Sequence, residues 1–241
     1  MKLNPLLKTL IIMLALLMPL IASWFGRLFA DLFSYNTMDP DGVFAWLYVH
    51  HILQMIVIIL IILVIKKFTT LTFGFTSGNK EVGLAFVKKF TLYFFLYNVV
   101  LMVILVLSNQ VTPLPFPINA RNVTGYLSFQ LFMSGPSEEI LFRAFIMTIV
   151  GFFISKRILS DRFSIANILA ALVFVVAHIA FTFNPFSMSY QPIQLMYSLV
   201  LGLIYGICYE KTNSVFYPMA LHSISNVISV SALLIVQSIF I

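Results

Sequence analysis

"SGPSEEILFRAF", residues 134–145, sets two glutamates and an arginine inside a stretch that is otherwise apolar from about 126 to 154. A charged side chain near a bilayer centre costs at least ~2.5–3.5 kcal/mol on the most lenient scale. Whether this stretch crosses a membrane therefore decides how its charges are read. The rest of the chain settles that question. Of the 241 residues, 61% are hydrophobic and 9% charged, and the mean hydropathy is +1.04. Soluble domains are roughly 45–50% apolar and about 25% charged. The chain reads as an integral membrane protein, one domain over residues 1–241.

Runs long enough to cross ~30 Å of hydrocarbon cover roughly 9–30, 43–65, 84–107, 126–154, 165–183, 193–209 and 215–240. The expected fold is all-α, a polytopic transmembrane bundle of about seven spans. The fourth is long and interrupted, and the sixth is short. Residues 9–22 follow Lys2 and Lys8 as a signal-peptide core would, but the apolar run continues past Trp24 and Phe25. An uncleaved first helix is the expectation.

Loop charge gives the orientation. With the N-terminus inside, the inner loops hold Lys2, Lys8, Lys66, Lys67, Lys80, Lys88, Lys89, Lys156, Arg157, Arg162 and Lys211, against Arg27 and Arg121 outside. Seven spans then place the C-terminus outside. The formal charge of +6 is thereby an orientation signal, and no nucleic-acid partner is expected. Membrane lipids are the expected neighbours of Lys66-Lys67 and Lys88-Lys89. Cys208 is the single cysteine, so neither an internal disulfide nor a cysteine metal cluster can form. Residues 108–122 read as an extended outer loop; Asn122-Val123-Thr124 there matches a glycosylation acceptor, a pattern common by chance. His50 and His51, beside Trp46 and Tyr48, read as an interfacial belt.

The intramembrane polar groups carry the chemistry. At ~100° per residue Arg143 falls ~40° from Glu139 but ~140° from Glu138. Glu139 is its natural ion-pair partner, and Glu138 is left to face something else. Gly135-Pro136 precedes them, and Pro136 in a first helical turn frees backbone groups. Further along stand "FVVAH", 174–178, and "HSISN", 222–226, with His222 and Asn226 on one helical face. Each histidine alone is more often a packing residue than a catalyst. A spare carboxylate, two histidines and an asparagine together in spanning helices must face the bundle interior or a wet cavity. By ~1.5 Å per residue, Glu138 lies ~18 Å from the outer end of its span. His178 and His222 lie ~20 and ~10 Å from the inner ends of theirs. Convergence at one depth is permitted by these figures.

The ordered set Glu138-Glu139-xxx-Arg143, Phe174-xxx-His178 and His222-xxx-Asn226 resembles the CPBP (Abi) intramembrane protease family, which includes the type II CAAX prenyl endopeptidases. The resemblance covers about 126–230, including the run "LGLIYGICYEKTNSVFYPMALHSISN", 201–226. Ala144 departs from the glycine that many members carry after the arginine. The resemblance implies a peptide or membrane-protein substrate, Glu138 as general base with His178 orienting a water, and His222 and Asn226 as oxyanion donors. It implies that Glu139 and Arg143 position the motif helix. The expected cofactor is none. Zinc is the alternative, since a carboxylate and two histidines meet a catalytic ligand count, although HExxH is absent.

Two other function classes remain at this stage. One is a bacteriocin self-immunity or processing-linked membrane protein with little hydrolysis. The other is a transporter or proton relay, which also uses mid-membrane carboxylates but is expected to show an inverted repeat that this sequence lacks. The expected setting is a bacterial cell membrane. The sequence leaves the substrate and the oligomeric state open.

Overall fold

Helices account for nearly all of the architecture. The structure is a computed structural model that describes residues 4–183 and 185–240; Lys2, one of the basic residues expected inside, and Ile241, at the C-terminus, lie outside them. Seven helical stretches occur among the described residues: α1 Pro5–Ala30, α2 Ala45–Phe68, α3 Lys80–Leu107, α4 over 120–153, α5 Ile165–Val176, α6 Pro192–Thr212 and α7 Phe216–Phe240. Helices α1, α2, α3, α6 and α7 are long and apolar enough to cross a membrane. The sixth is longer than its apolar run: α6 has 21 residues, opens with Pro192 in its first turn and ends on Asn213 in the left-handed conformation, φ 51°. Asn tolerates that cap.

Two helices depart from the expected spans. Helix α4 is α-helical over Ala120–Phe129, winds as a π-helix over Gln130–Ser134, resumes as α over Gly135–Glu139, widens again over Ile140–Met147 and finishes as α over Thr148–Phe153. Pro136 lacks an N–H and its ring clashes with the carbonyl of an ordinary preceding turn. The wide turn just before it is the usual way a helix absorbs such an insertion.

Helix α5 stops at Val176 and does not run on to about 183. Its 12 residues rise only ~18 Å, short of the ~30 Å of hydrocarbon. The chain then turns through His178 into an antiparallel hairpin, Ala180–Phe183 with Phe186–Ser189. Phe181, Thr182 and Phe186 favour extended backbone, and Pro185 forbids continued helix. A smaller hairpin, Arg157–Ile158 with Phe163–Ser164, joins α4 to α5.

Helix α4 is the hub, packed on by α1, α2, α5, α6 and α7. All eight residues of its second π-turn are buried, which fits a helix apolar on every side except for one arginine. Close backbone approach fixes the packing. A Cβ on Gly206 would overlap the Asn167 side-chain amide, so α6 meets α5 through this position, with Gly202 one turn earlier in a small-xxx-small spacing. Gly135 serves α7 in the same way: a Cβ there would lie 2.7 Å from Ser223 Oγ and 2.9 Å from its backbone nitrogen.

Of the residues 108–122 expected as a loop, 108–119 are irregular, with Leu114 N–H donating to Gln237 Oε1 at 3.0 Å, whereas 120–122 already belong to α4. Asn122, read as a glycosylation acceptor, has no exposed surface. Its amide donates to Asp41 and to the Pro117 carbonyl, so it is a structural residue that ties α4 to the loop before α2.

Candidate active site

Arg143 and Glu139 form the floor of the site. Arg143 Nη1 donates to Glu139 Oε1 at 3.0 Å, and both side chains have no exposed surface. The spacing of four along one helix brings them together, as the sequence required. Arg143 Nη2 donates to the Gly202 carbonyl at 2.7 Å. The guanidinium also lies over the rings of Phe174 and Tyr205, 5.2 and 5.5 Å from their centroids. One cation thus joins α4, α5 and α6.

Glu139 has a second partner. His222 Nδ1 donates to the same Oε1 at 2.8 Å. A carboxylate engaged by arginine only accepts, so the proton on this edge belongs to the imidazole. The other ring nitrogen, His222 Nε2, faces Glu138 Oε2 at 3.8 Å. His222 is buried, stacked on Tyr205 with centroids 5.1 Å apart and met edge-on by Phe174 at 5.8 Å. Tyr205 is held in turn: Ser225 Oγ donates to the His222 carbonyl, and the Tyr205 hydroxyl donates to Ser225 Oγ at 2.6 Å. The imidazole is held through Nδ1 and packed by these two rings, and Nε2 makes no hydrogen bond among the described residues.

The adjacent glutamates therefore live in opposite surroundings. Glu139 is sealed, whereas the Glu138 side chain keeps 17% of its surface exposed. Glu138 is the carboxylate left open to a reactant.

His178 stands just beyond α5, not at mid-span. Its Nδ1 donates to the Phe174 carbonyl at 2.8 Å. A carbonyl cannot donate, so in the neutral ring the lone pair is on Nε2. His178 and His222 both pack on Phe174, the former at 4.7 Å edge-on. One aromatic ring thus separates the two histidines. Asn226 lies one turn beyond His222 on α7, and its amide donates to Ser134 Oγ at 3.1 Å. Having two N–H groups, Asn226 has one more to offer.

The structure thus brings Glu138, Glu139, Arg143 and His222 into direct contact, links His178 through Phe174, and links Asn226 through Ser134. Among the described residues, no three His, Cys, Asp or Glu side chains group closely enough to hold a metal ion. The Nδ1 atoms of both motif histidines are already committed to protein acceptors.

His50 and His51 do not form an interfacial belt. His50 is buried, stacked on Trp46, with Gly26 of α1 against its backbone. His51 turns into the bundle, within electrostatic reach of Glu138 and His222, and its Nδ1 lies 2.8 Å from Ser137 Oγ. Sequence reading missed His51, Ser134 and Tyr205 as neighbours of the site. The available signal was their polar character within apolar spans, which marks a residue as interior without naming its partner.

Residues 120–228 match the family model described as type II CAAX prenyl endopeptidase Rce1-like. No curated protein and no solved structure matches the chain.

Proposed function

Taking the chain as a member of the CAAX-protease-like family through its Rce1-like residues 120–228, we propose that it is an intramembrane endopeptidase in which Glu138 is the general base. The observation that carries this reading is the contrast between the two glutamates. Glu139 is spent on Arg143 and His222, whereas Glu138 is partly open and beside an imidazole edge.

In this mechanism a water lies between Glu138 and His178 Nε2. Glu138 takes one of its protons as the oxygen bonds to the peptide carbonyl carbon. The developing oxyanion receives an N–H from Asn226 and, when His222 carries both protons, one from His222 Nε2. His222 Nδ1–H is already given to Glu139, so only the doubly protonated ring can donate from Nε2. The C–N bond then breaks, and the proton held by Glu138 passes to the leaving amine. Glu139 and Arg143 hold the imidazole and the motif helix in place.

In this reading the hydrolysis uses no metal, the sequence having no HExxH. The client is a peptide or membrane protein whose scissile bond reaches Glu138, and the setting is a bacterial cell membrane. The test is hydrolysis by the purified protein in liposomes of a quenched fluorescent prenylated peptide and its unprenylated counterpart, with products located by mass spectrometry. Cleavage of either that is lost in Glu138→Gln supports the reading. Equal cleavage by Glu138→Gln overturns the assignment of the base.

A further inference from the structure

His51 belongs to none of the three motifs and lies on α2, outside the Rce1-like residues 120–228. Its contacts nevertheless bracket the first π-turn of α4. Before that turn, its ring meets Phe129 edge-on at 5.0 Å. After it, Nδ1 lies 2.8 Å from Ser137 Oγ. The Ser137 hydroxyl spends its single hydrogen on the Ser134 carbonyl at 3.1 Å, so it accepts from His51 and Nδ1 is the donor. Ser137 itself has no exposed surface.

Ser134 is where this chain of bonds meets the motif residues. Its carbonyl accepts from Ser137, and its hydroxyl accepts from the Asn226 amide at 3.1 Å. His51 on α2, the π-turn on α4 and Asn226 on α7 thus form one polar connection across three helices. The π-turn Gln130–Ser134 lies outside regular α-helical winding, and its two flanks are gripped by one ring.

We propose that His51 is a positioning residue of the hydrolytic site: it clamps the π-turn so that Ser134 holds Asn226 in place. This rests on the hydrolase reading above. His51 is hydrogen-bonded to no reacting group in this scheme; it lies within electrostatic reach of Glu138 and His222, and its hydrogen-bonded path to the site runs through Ser137 and Ser134.

The test is kinetic, with the full chain in liposomes and a quenched fluorescent prenylated peptide as probe. His51→Ala is expected to lower kcat by about 10- to 100-fold, with KM within about twofold, as for a misplaced donor. His51→Asn restores an N–H near the Nδ1 position and is expected to recover most of that loss. Because His51 works through Asn226, the double variant with Asn226→Ala should turn over within about twofold of Asn226→Ala alone. Losses that multiply, a change confined to KM, or His51→Asn no better than His51→Ala would each overturn the proposal.

A wild type that cleaves neither prenylated nor unprenylated peptide counts against the hydrolase reading, not against the clamp. The clamp is then judged by melting temperature alone. His51→Ala and Ser137→Ala together should cost no more than the larger single loss, and additive losses would overturn it.

Discussion

His222 Nδ1 lies 2.8 Å from Glu139 Oε1, an oxygen that Arg143 already engages at 3.0 Å. The second motif glutamate is therefore the anchor of the last motif histidine as well as of the arginine. Glu139→Gln weakens two buried charged contacts at once and leaves Arg143 unpaired. The expected loss is roughly 3–5 kcal/mol of stability, read as a fall in melting temperature and in the amount of folded protein. Glu138→Gln, measured on parallel preparations, should melt close to wild type while turnover drops by roughly 10²–10⁴-fold. A folded, active Glu139→Gln beside an unfolded Glu138→Gln would reverse the two roles.

Gly135 is the point where the motif helix touches α7. A Cβ there would approach Ser223 Oγ and N to 2.7 and 2.9 Å. Gly135→Ala should cost about 1–3 kcal/mol through overpacking and should lower turnover by moving Glu138 away from His222. Gly151 is the control: a Cβ there finds its nearest neighbour at 3.8 Å. Gly151→Ala should leave melting and turnover unchanged or slightly raise stability. Equal effects of the two substitutions would contradict this packing.

Asp39 caps the start of α2 from the preceding loop, accepting from the N–H groups of Val43, Phe44 and Ala45 at 2.9, 2.7 and 2.8 Å. Burial pushes its carboxyl up, but those three donors and Arg121 outweigh it and hold the group below the usual carboxylate range. A depressed folded value means that the stabilisation is complete above the unfolded value of about 3.9 and is lost as the pH falls through the folded one. Asp39→Asn should melt below wild type at neutral pH, by about 1 kcal/mol for a weakened cap. The gap should close as the pH drops below about 4. Melting temperatures of both proteins across that range decide the point, and a constant gap would count against the cap.

Turnover should survive strong chelation. Purified protein treated with a chelator and then supplied with zinc should show neither loss nor rescue. Chelator-sensitive hydrolysis restored by zinc would establish the metal-dependent alternative.

Orientation is open to fusion reporters. A reporter after the last residue should register outside and one before α1 inside, following the basic loops. A cytoplasmic signal from the C-terminal fusion would mean that one of the seven helices fails to cross, with the short α5 the first to suspect.

The sequence by itself determined the membrane class, the seven helical stretches and the pairing of Arg143 with Glu139. Hydropathy and helical spacing are local properties, and four residues on one helix bring two side chains together whatever surrounds them. The same spacing left Glu138 unpaired by Arg143 and put His222 and Asn226 on one face. Only the tertiary structure decided that His222 gives its Nδ1 proton to Glu139 and turns Nε2 to Glu138. It alone showed that α5 ends before His178, and that His51 faces the bundle interior. Those outcomes depend on how far each helix is rotated and how closely two backbones approach. That approach is set by positions such as Gly135, against the Ser223 backbone, and Gly206, against the Asn167 side chain, whose partners are far away in the chain. A polar residue in an apolar helix announces that it needs a partner, and the packing of the other helices supplies it.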